Sequence, residues 1–162
     1  MIGRGRAYLL DDNERRQVLS CDGSFTLETP LVRSYDKASA LGITYCSRRY
    51  TRVKKRNSYT VAFEDPLDHS SCYGIVETFI SVTNSYNLAL VQQCVLKQVG
   101  PPHSFNGIIS DDNHELLFED YVTYEDGIKR FIFIHNLKNK CFNLTYNDWN
   151  VLTPLVNNVE CE

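Results

Sequence analysis

Short runs of β-branched and aromatic residues, each bounded by turn-forming residues, recur along most of this 162-residue chain. Such side chains fit the pleated, half-buried surface of a sheet, so these runs predict strands. Ten Tyr and eight Phe, against one Met and one Trp, strengthen the prediction. Strands are predicted at 42–47, 58–63, 73–82, 88–96, 116–124, 129–135, 141–146 and 149–156. Six to eight short strands at this spacing favour a mostly β fold, a barrel or a sandwich.

The segment 88–96 is the run whose composition also suits a helix, because Leu, Ala and Gln are good helix formers. A strand is favoured, since turn residues bracket the run closely at 84–85 and 100–102. Turns or loops are predicted in the polar stretches between strands, at 64–71, 101–115, 125–127 and 136–140.

Residues 1–30 differ from the rest of the chain, because they carry several arginines and no sustained strand pattern. They are predicted to be an N-terminal appendage or a linker, and residues 31–162 to be the β domain. Within the appendage, residues 12–19 could form one or two helical turns, with Asp11 or Asp12 as the N-cap.

The overall composition is that of a globular protein, with 43% hydrophobic and 23% charged residues. The apolar stretch after Arg6 is too short for a signal peptide, and no apolar run approaches the length of a membrane span. We therefore expect an intracellular protein without a membrane partner. In that setting widely spaced cysteines are predicted to be free thiols, which here are Cys21, Cys46, Cys72, Cys94, Cys141 and Cys161.

Positive charge is concentrated in the first third of the chain. Residues 1–56 hold 12 Lys/Arg and 6 Asp/Glu, whereas residues 57–162 hold 5 Lys/Arg and 14 Asp/Glu. The basic segment 48–56 is the densest part, and its candidate binding residues are Arg48, Arg49, Tyr50, Arg52, Lys54, Lys55 and Arg56. Such a segment attracts phosphate backbones or an acidic partner, and its tyrosine could stack on an unpaired base. It could equally protect a sheet edge from other strands, or act as a nuclear-localisation peptide.

No pattern of catalytic or metal-binding residues is visible in the sequence. None of the four histidines stands at metal-ligand spacing from a cysteine or another histidine, and no C-x-x-C occurs. His135, at the end of an apolar run, is interpreted as structural. Neighbouring carboxylates such as Asp111 and Asp112 would point to opposite faces of a strand, which does not suit shared acid–base chemistry. We expect no enzyme activity, no cofactor and no small-molecule substrate; a small hydrolase using a thiol is the enzymatic alternative.

The order of motifs from Gly42 onward resembles a known module. The matching segments are Gly42–Tyr45, Arg56–Val61, Tyr73–Ile80, Ala89–Val91, Ile134–Cys141 and Leu155–Glu160. This order is similar to the C-terminal β module of transposon-derived proteins in animal genomes, which in turn resembles bromo-adjacent homology (BAH) domains of chromatin proteins. The resemblance covers roughly residues 33–162.

The resemblance implies a bent β-barrel used for chromatin or protein contacts, without catalysis, in a nuclear protein. BAH domains that read methylated lysine use an aromatic cage, and the sequence alone places no residue of such a cage. The leading hypothesis is therefore a non-catalytic, BAH-like binding module that contacts chromatin, nucleic acid or a nuclear protein. A general protein-interaction domain without nucleic-acid binding is the alternative.

Overall fold

The computed structural model describes residues 1–23, 26–51, 59–82, 86–99, 122–146 and 149–154. These residues are mostly strand, which confirms the predicted β class. A 3-10 turn spans Ile134–Asn136. The elements are β1 Arg6–Leu9, α1 Asp12–Cys21, β2 Leu31–Tyr35, β3 Lys37–Ala40, β4 Ile43–Cys46, β5 Thr60–Glu64, β6 Ser71–Ser81, β7 Asn87–Val99, β8 Val122–Phe133, β9 Leu137–Tyr146 and β10 Trp149–Pro154.

The main sheet is antiparallel, with its strands in the order β1-β2-β6-β5-β9-β10-β8-β7. The long strand β6 connects its parts. Along one edge β6 pairs with β5 through Ser71–Ile75 and with β2 through Phe79–Ser81. Along the other edge it pairs with β7. Strands β3 and β4 form a separate two-stranded sheet.

The continuous apolar run in the sequence of β7 follows from the burial of this strand on both faces. Ala89 and Val91 are buried in an inner cluster that includes Tyr45 and Phe63. Leu88 and Leu90 are buried in a second, helix-side cluster together with Val18, Ile80 and Phe131. Both faces of the strand are therefore covered, so alternation with polar residues is absent. The prediction of a strand rather than a helix at 88–96 is confirmed.

Helix α1 begins where the sequence predicts. The Asp11 carboxylate accepts a hydrogen bond from the Glu14 N–H at 2.7 Å, and the Glu14 carboxylate accepts one from the Asp11 N–H at 3.2 Å. This reciprocal pair is a capping box. The helix buries Val18 against the sheet, and its Cys21 thiol and Gln17 amide donate to backbone carbonyls of β8.

Residues 1–30 show no sustained strand pattern in the sequence, but the structure has strand β1 within them. Strand β1 pairs with β2 from Arg6↔Ser34 to Leu9↔Leu31. Its four residues carry too little alternation to be recognised in sequence, and the pairing with β2 determines their conformation. The division of the chain at residue 30 remains a prediction.

Two predicted turns also lie within strands. Residues 125–127 are part of β8, where a register shift opposite Gln92 and Cys94 takes the place of a turn. A Cβ added at Gly127 would lie 2.8 Å from Val95 Cγ2, so the glycine permits a close approach of β7. Residues 137–140 begin β9, because Leu137 is buried in the inner cluster and β9 pairs with β5. In the described part of the chain, no helix is long and apolar enough to cross a membrane.

Candidate ligand-binding surfaces

The structure describes only the start of the basic segment 48–56. Arg48, Arg49 and Tyr50 lie in the described part, whereas Arg52, Lys54, Lys55 and Arg56 lie outside it. The Arg48 N–H donates to the Val76 carbonyl at 2.7 Å, which holds the beginning of the segment against β6. The prediction that these cations form one ligand-binding patch is therefore untested for four of its six members.

The described members of the segment contact other side chains of the protein. The Arg48 guanidinium lies 3.7 Å from the Glu77 carboxylate, which is also 4.0 Å from Lys129 Nζ. Arg49 lies over the ring of Tyr8, at 5.5 Å from its centroid. Lys37 Nζ lies 4.3 Å from the centroid of Tyr50, so one face of that ring already contacts a cation. These contacts favour a structural role for the start of the segment.

Tyr8 links this region to α1. Its hydroxyl donates to Glu14 Oε1 at 2.7 Å, the same carboxylate that completes the capping box. Burial raises the pKa of Tyr8 to about 12, and the hydrogen bond to Glu14 acts in the same direction. The phenol therefore stays protonated and keeps donating at neutral pH.

A second candidate surface is an aromatic pocket at the C-terminal end of α1. The cavity has a volume of about 500 Å³ and lies between α1, the start of β7 and the 3-10 turn after β8. Its lining residues are Asp22, Tyr86, Asn87, Phe133, Ile134 and His135. This volume is within the range of pockets that bind small ligands or single side chains.

The rings of the aromatic pocket form two inclined planes. His135 stacks on Phe133, with centroids 5.1 Å apart and an interplanar angle of 12°. Tyr86 is tilted at 50° to Phe133, with centroids 6.4 Å apart. Tyr86 and Phe133 also pack against the helix-side cluster, which holds them in place. Asp22 is the one acidic residue in the described lining.

This arrangement suits a cationic ligand. The negative faces of aromatic rings attract ammonium groups, and methylated ammonium groups lose little hydration on entering such a site. The Asp22 carboxylate adds a favourable charge, because its attraction strengthens as water is excluded. The pocket can thus hold the end of a methylated lysine side chain.

Sequence reasoning misses this pocket. It treats His135 as a structural residue at a strand end, but the side chain is exposed and lines the cavity. Asp22 and Tyr86 stand far from it in sequence and meet it only through the packing of α1 on β8 and the pairing of β7 with β8. The one local signal is the aromatic spacing of Phe133 and His135.

A polar cluster surrounds Cys72 at the start of β6. Its sulfur lies 3.7 Å from Ser70 Oγ, 3.7 Å from Gln93 Nε2 and 3.8 Å from an Arg130 nitrogen. Arg130 also pairs with Asp65 at 2.7 Å and lies over the Phe63 ring. Among the described residues no histidine forms a hydrogen bond with this thiol, and His103 and His114 lie outside those residues.

His69, the histidine nearest to Cys72 in the sequence, contacts the Glu64 carboxylate instead. His69 Nδ1 lies 2.7 Å from Glu64, and Lys138 Nζ lies 2.9 Å from the other oxygen of the same carboxylate. The hydrogen bond from His69, followed by that from Lys138, lowers the pKa of Glu64. His69 therefore takes part in a surface network with Glu64 and Lys138.

Three other thiols, those of Cys21, Cys94 and Cys141, are poorly suited to nucleophilic chemistry. The five cysteines in the described residues are unbridged, as predicted, and Cys161 lies outside those residues. Burial raises the pKa of Cys21 to about 11 and the pKa values of Cys94 and Cys141 to about 12. The reactive thiolate is correspondingly rare in these three groups at neutral pH.

No group of three or more His, Cys, Asp or Glu side chains in the described ranges is arranged to hold a metal ion. Comparisons of the chain with protein-family models, with curated proteins and with solved structures find no match.

Proposed function

We propose that this chain is a non-catalytic binding module of transposon origin and BAH-like architecture that contacts a nuclear protein partner. The sequence resemblance supports the assignment, and so does the mostly β, antiparallel architecture of the described residues. The aromatic pocket carries the functional part of the proposal. Its ligand is a lysine side chain of the partner, methylated at the ammonium group.

Three features of the aromatic pocket support this ligand. The stacked pair Phe133–His135 and the tilted Tyr86 place aromatic rings of two orientations in the lining. The acidic residue Asp22 lines the same pocket. Tyr86 and Phe133 pack on the helix-side cluster, which restricts these two rings and reduces the conformational entropy lost on binding.

The test is the affinity of a short peptide with one central trimethyl-lysine for the whole chain, measured by calorimetry. His135→Ala and Tyr86→Leu should each weaken binding about tenfold, because each removes a ring face from the cation. Tyr86→Phe should bind like the wild type, since it keeps the ring. Asp22→Asn should weaken binding of trimethyl-lysine and of unmodified lysine alike.

His69→Ala is the matched control, since it removes an exposed histidine at the β5–β6 turn and leaves the aromatic pocket unchanged. Equal affinities for wild type, His135→Ala and Tyr86→Leu would reject the pocket as the binding site. Thermal unfolding of each variant verifies that the fold is retained.

Nucleic-acid binding through the basic segment 48–56 is the second candidate function. Six cations in nine residues and the exposure of Arg48 and Arg49 favour it. The contacts of Arg48 with Glu77 and of Arg49 with Tyr8 count against it, because those cations already have partners. If the basic segment binds no nucleic acid, protein interaction without nucleic acid is the function that remains.

A further inference from the structure

Strand β1 leaves one of its edges open among the residues that the structure describes. In the described residues β1 is the terminal strand of the main sheet and pairs only with β2. The Leu10 N–H donates to the Pro30 carbonyl at 2.9 Å, which fixes the phase of the antiparallel ladder. Hydrogen-bonded and non-hydrogen-bonded residue pairs alternate along an antiparallel ladder. The backbone N–H and C=O groups of Arg6 and Tyr8 therefore point towards β2, whereas those of Ala7 and Leu9 point towards the open edge.

The solvent-facing surface of β1 and β2 is concave and apolar at one end. Leu9 and Leu31 pair directly and are exposed at 68% and 58%. A cleft of about 720 Å³ extends from Leu31 along the strands to Tyr35. The Val32 side chain, which borders the cleft, is buried in the helix-side cluster. No residue that lines the cleft also lines the aromatic pocket, so the two sites are distinct.

The other end of the cleft is positively charged. Arg4 and Arg33 line it, and neither forms an ion pair within the described ranges. Arg33 lies opposite Ala7, two residues along from the Leu9–Leu31 pair. The Tyr35 ring closes this end over Gly5, where an added Cβ would lie 2.9 Å from the ring. The β1–β2 pair thus presents, on one face, the apolar position Leu9–Leu31 and, two residues along, the cation of Arg33 beside the small side chain of Ala7.

We propose that the edge of β1 binds an extended, acidic segment of a partner protein as an additional strand. Backbone hydrogen bonds to Ala7 and Leu9 supply affinity, and alternate side chains of the added strand fit the cleft. One of these is apolar and meets Leu9 and Leu31. The next side chain on the same face is a carboxylate and meets Arg33 and Arg4, so the charges are complementary.

The probe is a seven-residue peptide in which valine and two aspartates alternate with threonine, labelled with a fluorophore and titrated with the full chain. Wild type should bind. Arg33→Gln should weaken binding about tenfold, because it removes one charge-assisted hydrogen bond. Arg16→Gln, on α1 and outside the lining of the cleft, is the matched control and should bind like the wild type.

A second variant separates strand addition from simple charge attraction. Ala7→Pro removes an N–H that faces the open edge and keeps the β1–β2 ladder, because proline is tolerated on edge strands. Circular dichroism verifies the fold of this variant, and a peptide N-methylated at alternate residues repeats the test on unaltered protein. Both should abolish binding.

Full binding by Ala7→Pro and by the N-methylated peptide would overturn strand addition. Absence of binding to the wild type would overturn the whole proposal. The proposal would also be overturned if the protein bound duplex DNA in an Arg33-dependent way and did not bind the peptide.

Discussion

At the scale of single residues, Gly74 determines how closely β6 and β7 approach each other. A Cβ at this position would lie 2.3 Å from Val91 Cγ1 and 2.9 Å from the Gln92 carbonyl oxygen. We predict that Gly74→Ala lowers the free energy of unfolding by roughly 1–3 kcal/mol through overpacking. Gly23→Ala is the control, because a Cβ added at Gly23 would have no other atom within 4 Å. Urea denaturation compares the two variants; equal losses would contradict the importance of the close approach at Gly74.

The ion pair between Arg130 and Asp65 is the best-shielded one in the described residues, with side chains exposed at 17% and 12%. Asp65 also accepts a hydrogen bond from the Leu67 N–H. Arg130→Met should cost about 3 kcal/mol of unfolding free energy, because it leaves a buried carboxylate without its cation. The exposed pair Arg6–Asp36 provides the control, and Arg6→Met should cost less than about 1 kcal/mol. Comparable losses of unfolding free energy in both variants would show that burial of an ion pair does not determine its contribution to stability.

Two buried thiols make stability depend on alkaline pH. The pKa values of Cys94 and Cys141 are raised from 9.0 to about 12 by burial. A raised pKa in the folded state means that the stabilisation is complete below pH 9 and is lost as the pH rises from 9 towards 12. We therefore predict that Cys94→Ala with Cys141→Ala shows a smaller loss of unfolding free energy between pH 8 and pH 10 than wild type does. An unchanged pH dependence in urea titrations would contradict this assignment.

At the scale of elements, sequence predicts strands wherever tertiary contacts agree with local composition. The runs at 43–46, 60–63 and 88–96 are strands in the structure for that reason. Prediction fails where pairing overrides composition, as in β1 and in residues 125–127 of β8, whose Glu-Asp-Gly sequence is typical of a turn. A register shift and a close approach at Gly127 cannot be read from neighbouring residues alone.

Helix α1 allows a test at the element scale. Asp11→Ala should destabilise the protein by about 1 kcal/mol, because it leaves the Glu14 N–H without its carboxylate acceptor. Asp12→Ala, one residue further on, removes an exposed charge from the first turn but no capping bond, and should cost about a few tenths of a kcal/mol. Amide hydrogen exchange across 12–21 should rise only in Asp11→Ala. Faster exchange in both variants would mean that charge, and not the cap, maintains the start of the helix.

At the scale of the whole molecule, charge can be read from sequence and the aromatic pocket cannot. The basic segment is contiguous, whereas the pocket combines the end of α1, the start of β7 and the turn after β8. Such a site exists only once the chain has folded. For the basic segment, the structure shows what the sequence cannot, namely that Arg48 contacts Glu77 and that Arg49 contacts Tyr8.

Salt dependence separates the two candidate functions. Each phosphate contact lowers the slope of log affinity against log salt concentration by roughly 0.9 on duplex DNA. If all six cations of segment 48–56 contact phosphates, that slope should be about −5. Replacing Lys54, Lys55 and Arg56 with Ala should flatten that slope by roughly three contacts. Arg15→Ala with Arg16→Ala, on α1, is the control for removing cations elsewhere. Fluorescence anisotropy that detects no DNA binding at low salt would leave protein interaction as the function.

Binding of a methylated ammonium group in the aromatic pocket is tested most directly by NMR. The ¹⁵N-labelled chain is titrated with a peptide containing trimethyl-lysine and, separately, with the same peptide containing unmodified lysine. We predict that the trimethyl-lysine peptide shifts the amide signals of Tyr86, Phe133, Ile134 and His135 first, and at lower concentration than the lysine peptide does. Unchanged signals at these four positions, or equal responses to the two peptides, would contradict the proposed ligand.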